Sequence, residues 1–257
     1  MWSGFAALSQ SDNSLTMGTP ILGEKRSAAI MQPYFLPYIG YFQLIAAVDV
    51  FVVYDNIKYT KKGWINRNRM LLNGQDEMFS LPLKKASDAC LVAEREIADD
   101  YDAGKLLNKF KGVYARAPYF AQTLPLLEKI LHYEDRNLFR YIYHSIVCVC
   151  AHLKIATPIR IASEIGIDHA LRSQDKVIAL CRAVDAQSYI NPIGGVELYA
   201  KADFMAQGIE LNFLRALPFE YPQFGAPHVP WLSIVDVLMF CAPEQVARTI
   251  RDGYELV

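Results

Sequence analysis

The sequence predicts an α/β fold: a Rossmann-like, mostly parallel sheet with a β-hairpin and an inserted helical segment. Three observations carry that prediction. A short apolar run from Ser27 to Gln32 leads through a proline-rich turn into a run with helical spacing and then a β-branched run, the strand, turn, helix, strand unit of parallel sheets. The pair Asn73-Gly74 separates two strand-like stretches, a strong hairpin signal. The last third of the chain alternates short strands and helices again.

Taken in order, residues 1–26 read as a flexible arm, since Met1 to Gly23 is rich in Ser, Thr, Asn and Gly and lacks the charged start and apolar stretch of a secretory signal. Residues 27–257 are expected to form a single domain. Its first strand stops at Pro33, and Pro37 forbids simple continuation. Ile39 to Val48 has helical periodicity, and Asp49 to Asn56 is a β-branched and aromatic strand. Arg67 to Leu72 and Glu77 to Leu83 form the hairpin. Ala103 to Ala115, Tyr119 to Leu131 and Asn137 to Lys154 each carry an apolar helical face, which makes about 103–154 a helical insertion. Strands follow at Pro158 to Ala162, Gln187 to Asn191 and Ile209 to Leu214. Helices are expected at Gln174 to Val184, capped by Ser173, and at Glu197 to Ala206, Leu232 to Phe240 and Pro243 to Arg251.

Composition narrows the function classes. Hydrophobic residues make up 53% of the 257, and the formal net charge is −1, so nothing attracts the whole chain to nucleic acid or anionic lipid. The apolar stretch Tyr141 to Leu153 is interrupted by His144 and His152 and is too short for a membrane span. The five cysteines are odd in number and lack zinc or redox spacing, which reads as reduced thiols in a cytoplasmic protein. None of the five histidines has a metal spacing such as HExxH, and no GxSxG, Walker or GxGxxG pattern is present. The expected partner is a small molecule, a nucleotide sugar or an activated acyl donor, with no nucleic acid, no membrane span and no metal ligands assigned.

Two stretches at the carboxyl ends of the first two strands could carry chemistry, because open α/β sheets bind ligands there. In Gln32-Pro33-Tyr34-Phe35-Leu36-Pro37-Tyr38-Ile39-Gly40-Tyr41-Phe42, prolines and a glycine fix a backbone filled with aromatics. Gly40 either lets an anion approach free helix N–H groups or only permits close packing. Gln32, Tyr34, Gly40 and Tyr41 are the substrate-binding candidates of this turn. Asp55 to Arg69 concentrates Lys58, Lys61, Lys62, Arg67 and Arg69 around Trp64, Asn66 and Asn68. Cations can neutralise phosphate, amides can orient sugar hydroxyls and tryptophan can stack on a sugar or base. Asp55 either acts as a base or caps the turn. The turn Asn191-Pro192-Ile193-Gly194-Gly195, with Tyr199 beyond it, is a second anion or sugar candidate.

QPYFLPYIGYFQLI, DVFVVYDNIKYTKKGWINRNRM, YINPIGG with Tyr199, and VPWLSIVDVLMF together resemble the WbqC-like family, from about Ile30 to the C-terminus. The resemblance implies a place in bacterial surface-polysaccharide, O-antigen-type (lipopolysaccharide) biosynthesis and a transferase activity, including aminoacyl or glycine transfer. The strand, turn and glycine-bearing helix are also similar to nucleotidyltransferase and pantothenate synthetase-like folds. Pro37-Tyr38-Ile39-Gly40-Tyr41 stands where those have HxGH, so their handling of a nucleoside triphosphate does not carry over.

The leading expectation is therefore a transferase acting on an activated sugar or its carrier. In it Asp55 is the general base, Lys61, Lys62, Arg67 and Arg69 hold phosphate or carboxylate, and Asn66 and Asn68 orient the acceptor. Its competitors are an ATP- and Mg²⁺-dependent adenylating ligase, marked by release of pyrophosphate or AMP, and a non-catalytic sugar- or nucleotide-binding protein.

Overall fold

In the computed structural model, which describes residues 25–225 and 227–257, the apolar run after the arm forms β1 (Ser27–Met31). It pairs in parallel with β2 (Val50–Val53), Ala28 opposite Val50 and Met31 opposite Val53. Both strands are covered on both faces, which is why they read as continuous apolar runs rather than alternating ones. The helix between them, α1 (Ile39–Ala46), buries Ile39 through Ile45; a helix apolar all round belongs inside. The expected arm lies outside the described residues up to residue 24. Lys25 and Arg26 are docked, Lys25 Nζ 2.7 Å from Glu210 Oε2 and the Arg26 amide donating to Gln187 Oε1 at 3.0 Å.

The hairpin is β3 (Arg67–Leu72) and β4 (Gln75–Ser80), with Leu72 opposite Gln75. Asn73 (φ 51°) and Gly74 (φ 75°) make its turn, the paired positive φ angles that a two-residue connection matched to strand twist requires. Helices α2 (Ala103–Tyr114), α3 (Phe120–Leu131) and α4 (Leu138–His152) follow. Asp102 caps α2 by accepting from the Lys105 amide, and Asn137 caps α4 by accepting from that of Arg140. Their apolar faces merge with α1, with Met70 and Phe79 of the hairpin, and with Ala29, Phe51 and Val53 of the sheet in one continuous core.

The last third supplies β5 (Ile159–Ile161), α5 (Ser173–Ala183), β6 (Ser188–Pro192), α6 (Lys201–Met205), β7 (Glu210–Ala216), α7 (Ile234–Phe240), α8 (Pro243–Asp252) and β8 (Tyr254–Leu256). Val177, Leu180 and Cys181 of α5 and Phe204 of α6 cover the opposite sheet face, formed by Ala28, Ile30, Val50, Val52, Tyr189, Leu211 and Phe213. The sheet runs β5-β2-β1-β6-β7-β8, parallel except for β8. This is the strand order of doubly wound sheets, whose topological switch point lies between β1 and β6.

Three details differ from expectation. Ser173 does not cap α5: it is the first helical residue, at φ 48°, and Arg172 before it makes no side-chain cap. The helix expected over Glu197 to Ala206 is a 3-10 segment, Ile193–Leu198, and then only the short α6, with Tyr199 extended between them. The glycines at 194 and 195 disfavour a regular start there. Nothing in the sequence points to β8, whose three residues pair antiparallel with β7. No helix among the described residues is long and apolar enough to cross a membrane. Cys148, Cys150, Cys181 and Cys241 are buried and unpaired. Burial pushes the Cys150, Cys181 and Cys241 thiols up to about 12, which makes them packing groups rather than nucleophiles.

Candidate functional site

The turn after β1 is held in a conformation it would not choose alone. Leu36 has φ 45°, a left-handed backbone that costs a non-glycine residue about 1–3 kcal/mol. Its carbonyl accepts from Asn68 Nδ2 at 2.9 Å and from Ser233 Oγ at 2.7 Å. Around that carbonyl, the Phe35 amide donates to Ile65 O, the Ser233 amide to Arg69 O and the Ile234 amide to Pro37 O, all at 2.8–2.9 Å. Three stretches far apart in sequence thus form one hydrogen-bonded unit. Asn68 completes it by accepting from the Arg69 amide at 2.8 Å. Asn68→Ala is expected to lower stability by about 2–3 kcal/mol, because it strips a buried carbonyl of a donor. Asn68→Asp is expected to lower it further by setting two acceptors face to face. Urea denaturation reads both, and an unchanged midpoint for the alanine variant would refute the clamp.

This unit shapes a cavity of about 190 Å³ lined by Tyr34, Pro37, Tyr38, Trp64, Asn68, Arg69 and Trp231. The Arg69 guanidinium lies over the Trp64 ring at 5.5 Å. It also donates to Trp231 O at 3.3 Å and to Asp76 Oδ2 at 3.2 Å. Tyr38 and Trp231 meet edge to face at 5.9 Å. A second cavity of about 220 Å³ shares Tyr38 and Trp231 and continues towards Phe219, Tyr221 and His228. Trp64 is 41% and Trp231 54% exposed, a large apolar surface to leave in water unless something stacks on it. Burial pushes the Tyr34 hydroxyl up to about 12, helped by Tyr38, and raises that of Tyr38 too. Both are therefore neutral hydrogen-bonding groups in the wall. A Cβ at Gly40 would collide with the Tyr38 ring, so this glycine serves close packing, setting the Tyr38 wall against α1.

A second group stands at the carboxyl edge of the sheet. Asp55, just beyond β2, is 3% exposed, and its Oδ1 accepts from the Ser163 amide at 2.9 Å. Lys176, in the first turn of α5, is 6% exposed. It donates to Asn56 Oδ1 at 3.3 Å and lies 5.2 Å from the centre of the Tyr54 ring. Burial lowers its pKa, and the Asp55 charge opposes that shift. Across the switch point, Tyr189 donates to Asn191 Oδ1 at 3.0 Å and packs edge to face with Tyr199. Gly195 is needed because a Cβ there would overlap the Asn191 amide, whereas one at Gly194 would meet open space. Tyr41 donates to Gln32 O at 2.9 Å and so anchors the exit of β1.

A third group surrounds Tyr59. Asn66 uses both ends of its amide on the chain, accepting from the Tyr59 hydroxyl at 2.8 Å and donating to Leu81 O at 2.7 Å. Arg67 Nε donates to Gly63 O at 2.8 Å, and Lys61 pairs with Asp88 at 2.7 Å on the surface. Lys84 pairs with Glu96 and Asp99.

Of the residues singled out in the sequence, Tyr34, Trp64, Asn68 and Arg69 thus meet in one cavity. Asp55 and Tyr199, with the exit of β1 and the glycine turn after β6, belong to the sheet edge. Lys61, Asn66 and Arg67 gather around Tyr59. Sequence reasoning missed Tyr38 and Trp231 as walls, and Lys176 as the buried cation that bonds Asn56 beside Asp55. One signal for Lys176 was present, since a lysine in the first turn of a helix opposes the macrodipole and needs another reason to be there.

A doubly wound sheet with an aromatic groove built from the turn after β1, the entry to the hairpin and the entry to α7 defines a Rossmann-like α/β protein. The four sequence stretches that build and flank it are those of one family. The chain belongs to the WbqC-like protein family, whose model matches residues 32–248. It is similar to the uncharacterized protein Rv1507c of Mycobacterium tuberculosis (strain ATCC 25618 / H37Rv), 26% identical over 216 residues that cover 83% of this chain and 93% of that protein. No solved structure matches it significantly.

Proposed function

We propose that the chain is a transferase of surface-polysaccharide assembly that moves an acyl or aminoacyl group, such as glycyl, onto an amino sugar. The observation that carries this reading is the convergence of the Tyr34–Tyr38, Trp64–Arg69 and Trp231 segments on one aromatic cavity. Rings of this kind stack on the C–H faces of a sugar or on a base, and the adjoining cavity extends the surface they offer. Arg69 would meet an oxyanion of the ligand.

For the chemistry, an amine of the acceptor attacks the acyl carbon. The bond to the leaving group breaks with its electron pair, and the ammonium proton passes to a base. Asp55 fits the last role, since one of its oxygens is fixed by the Ser163 amide and the other makes no hydrogen bond among the described residues. Lys176 would act as its electrostatic partner. Binding an acceptor and holding it beside this pair supplies orientation before any proton moves.

The test is incubation with nucleotide-linked amino sugars and activated amino acids, with the acylated sugar detected by mass spectrometry. The wild-type protein is expected to form it, and Asp55→Asn to form it about 10²-fold or more slowly at unchanged thermal stability. Full turnover by the Asn variant would remove Asp55 from the mechanism, and release of pyrophosphate or AMP would favour adenylation instead.

A further inference from the structure

Arg95 follows a 3-10 turn (Val92–Glu94) and is 4% exposed, yet among the described residues its side chain has neither a carboxylate partner nor a hydrogen bond. Its backbone is pinned, with the Leu138 amide donating to Arg95 O at 2.9 Å and Val92 N to Ile57 O at 2.9 Å. The guanidinium lies 4.5 Å from the centre of the Tyr59 ring, and its Nε is buried without a partner. An arginine keeps its charge at any pH a protein survives, so burying it unpaired costs several kcal/mol.

The neighbours deepen the imbalance. Burial raises the pKa of the Tyr59 hydroxyl, while the charges of Arg95, Arg67 and Lys61 oppose the rise. Lys58 adds its charge near Asp88, which stands exposed on the surface against Lys61. The acids next in sequence are engaged elsewhere, Glu94 with the Leu91 amide and Glu96 with Lys84. Among the described residues, Arg95 and Arg67 thus carry positive charge beside one phenol with no carboxylate paired to either.

We propose that Arg95, with Arg67 and Lys61, forms a subsite for a phosphoryl oxyanion of the substrate, closed on one side by the Tyr59 ring. A guanidinium offers a planar fork of donors matched to two phosphate oxygens, and an ion bound there supplies the counter-charge the fold lacks. The proposal deepens the transferase reading, since phosphate is what activates a nucleotide sugar or an acyl phosphate.

The test is thermal unfolding of the full chain in inorganic phosphate or pyrophosphate, at ionic strength held constant with sodium chloride. A ligand that binds only the native state raises the midpoint in proportion to its excess over Kd. Wild type is expected to rise with either anion. Arg95→Met, which keeps the apolar stem, is expected to lose the response and to be no less stable than wild type without phosphate. Should Arg95→Met fail to fold, Arg67→Gln keeps the question open to decision, with an expected weakening of more than tenfold. Equal phosphate responses in the wild-type and variant proteins overturn the subsite, and an equal rise with acetate overturns its phosphoryl character. No turnover is measured, and Trp231→Ala is expected to keep the phosphate response, so failure of the subsite and failure of the transferase reading are told apart.

Discussion

Replacement of Asp236 by alanine is expected to lower the free energy of unfolding by about 4 kcal/mol, enough to leave many domains largely unfolded. Asp236 is fully buried in α7. Its Oδ1 accepts from the Tyr114 hydroxyl at 2.8 Å, and its Oδ2 accepts from the Tyr221 hydroxyl at 2.8 Å and from Gln223 Nε2 at 2.7 Å. Tyr114 in turn accepts from the Leu71 amide at 3.0 Å. One carboxyl therefore joins α7, α2, the hairpin and the loop before Trp231. Its removal strands three buried donors, each costing about 1–3 kcal/mol before relaxation. Urea denaturation measures the loss, and a change under about 1 kcal/mol would mean that the donors find each other.

The pH dependence of the same site has a definite sign. Burial raises the Asp236 pKa above its ordinary 3.8, while the bonds from Tyr221, Tyr114 and Gln223 oppose the rise. The folded chain thus holds this proton more tightly than the unfolded chain does. The associated stability is fully present below 3.8 and is lost as pH rises through the folded value. Asp236→Asn cannot ionise, so its stability relative to wild type is expected to improve as pH climbs through that window. A constant difference across the window would overturn the sign.

The second large effect concerns binding. Trp64→Ala and Trp231→Ala are each expected to weaken a groove ligand by about thirtyfold, near 2 kcal/mol, which is what aromatic anchors in binding pockets commonly contribute. Stability should hardly change, because both rings are about half exposed. Titration with nucleotide sugars gives a direct readout through the quenching of tryptophan fluorescence, since the chain has only three tryptophans. Undiminished affinity in both variants would sink the groove as the ligand site. The contrast with Asp236 matters: one substitution should cost stability, and the other two should cost only affinity.

The sheet was legible because β1 and β2 are buried on both faces, so their apolar runs are unbroken, and because Asn73-Gly74 fits only a tight hairpin. The turn after β1 was legible as rigid, but not how it is held. Leu36 carries no mark of a positive φ, and its two donors, Asn68 and Ser233, lie 32 and 197 residues away. Asn66 and Asn68 look alike in sequence, yet one braces Tyr59 and the other clamps Leu36. Arg95 was invisible because an isolated arginine in a loop ordinarily projects into water, and only three-dimensional burial reveals an unpaired charge. The short β8 was missed because three residues show no periodicity.

The Leu36 carbonyl also sets an order in time. Its first donor, Asn68, leaves the ribosome soon after the turn itself, 32 residues on, but Ser233 lies 197 residues beyond Leu36, so it and the Trp231 wall arrive only after the sheet strands and helices between them have been made. Until then the strained turn lacks half its support and the groove lacks one side. During synthesis the core layers can therefore gather around the early sheet and helices well before the groove is closed, and the proposed ligand site is complete only once α7 has been made.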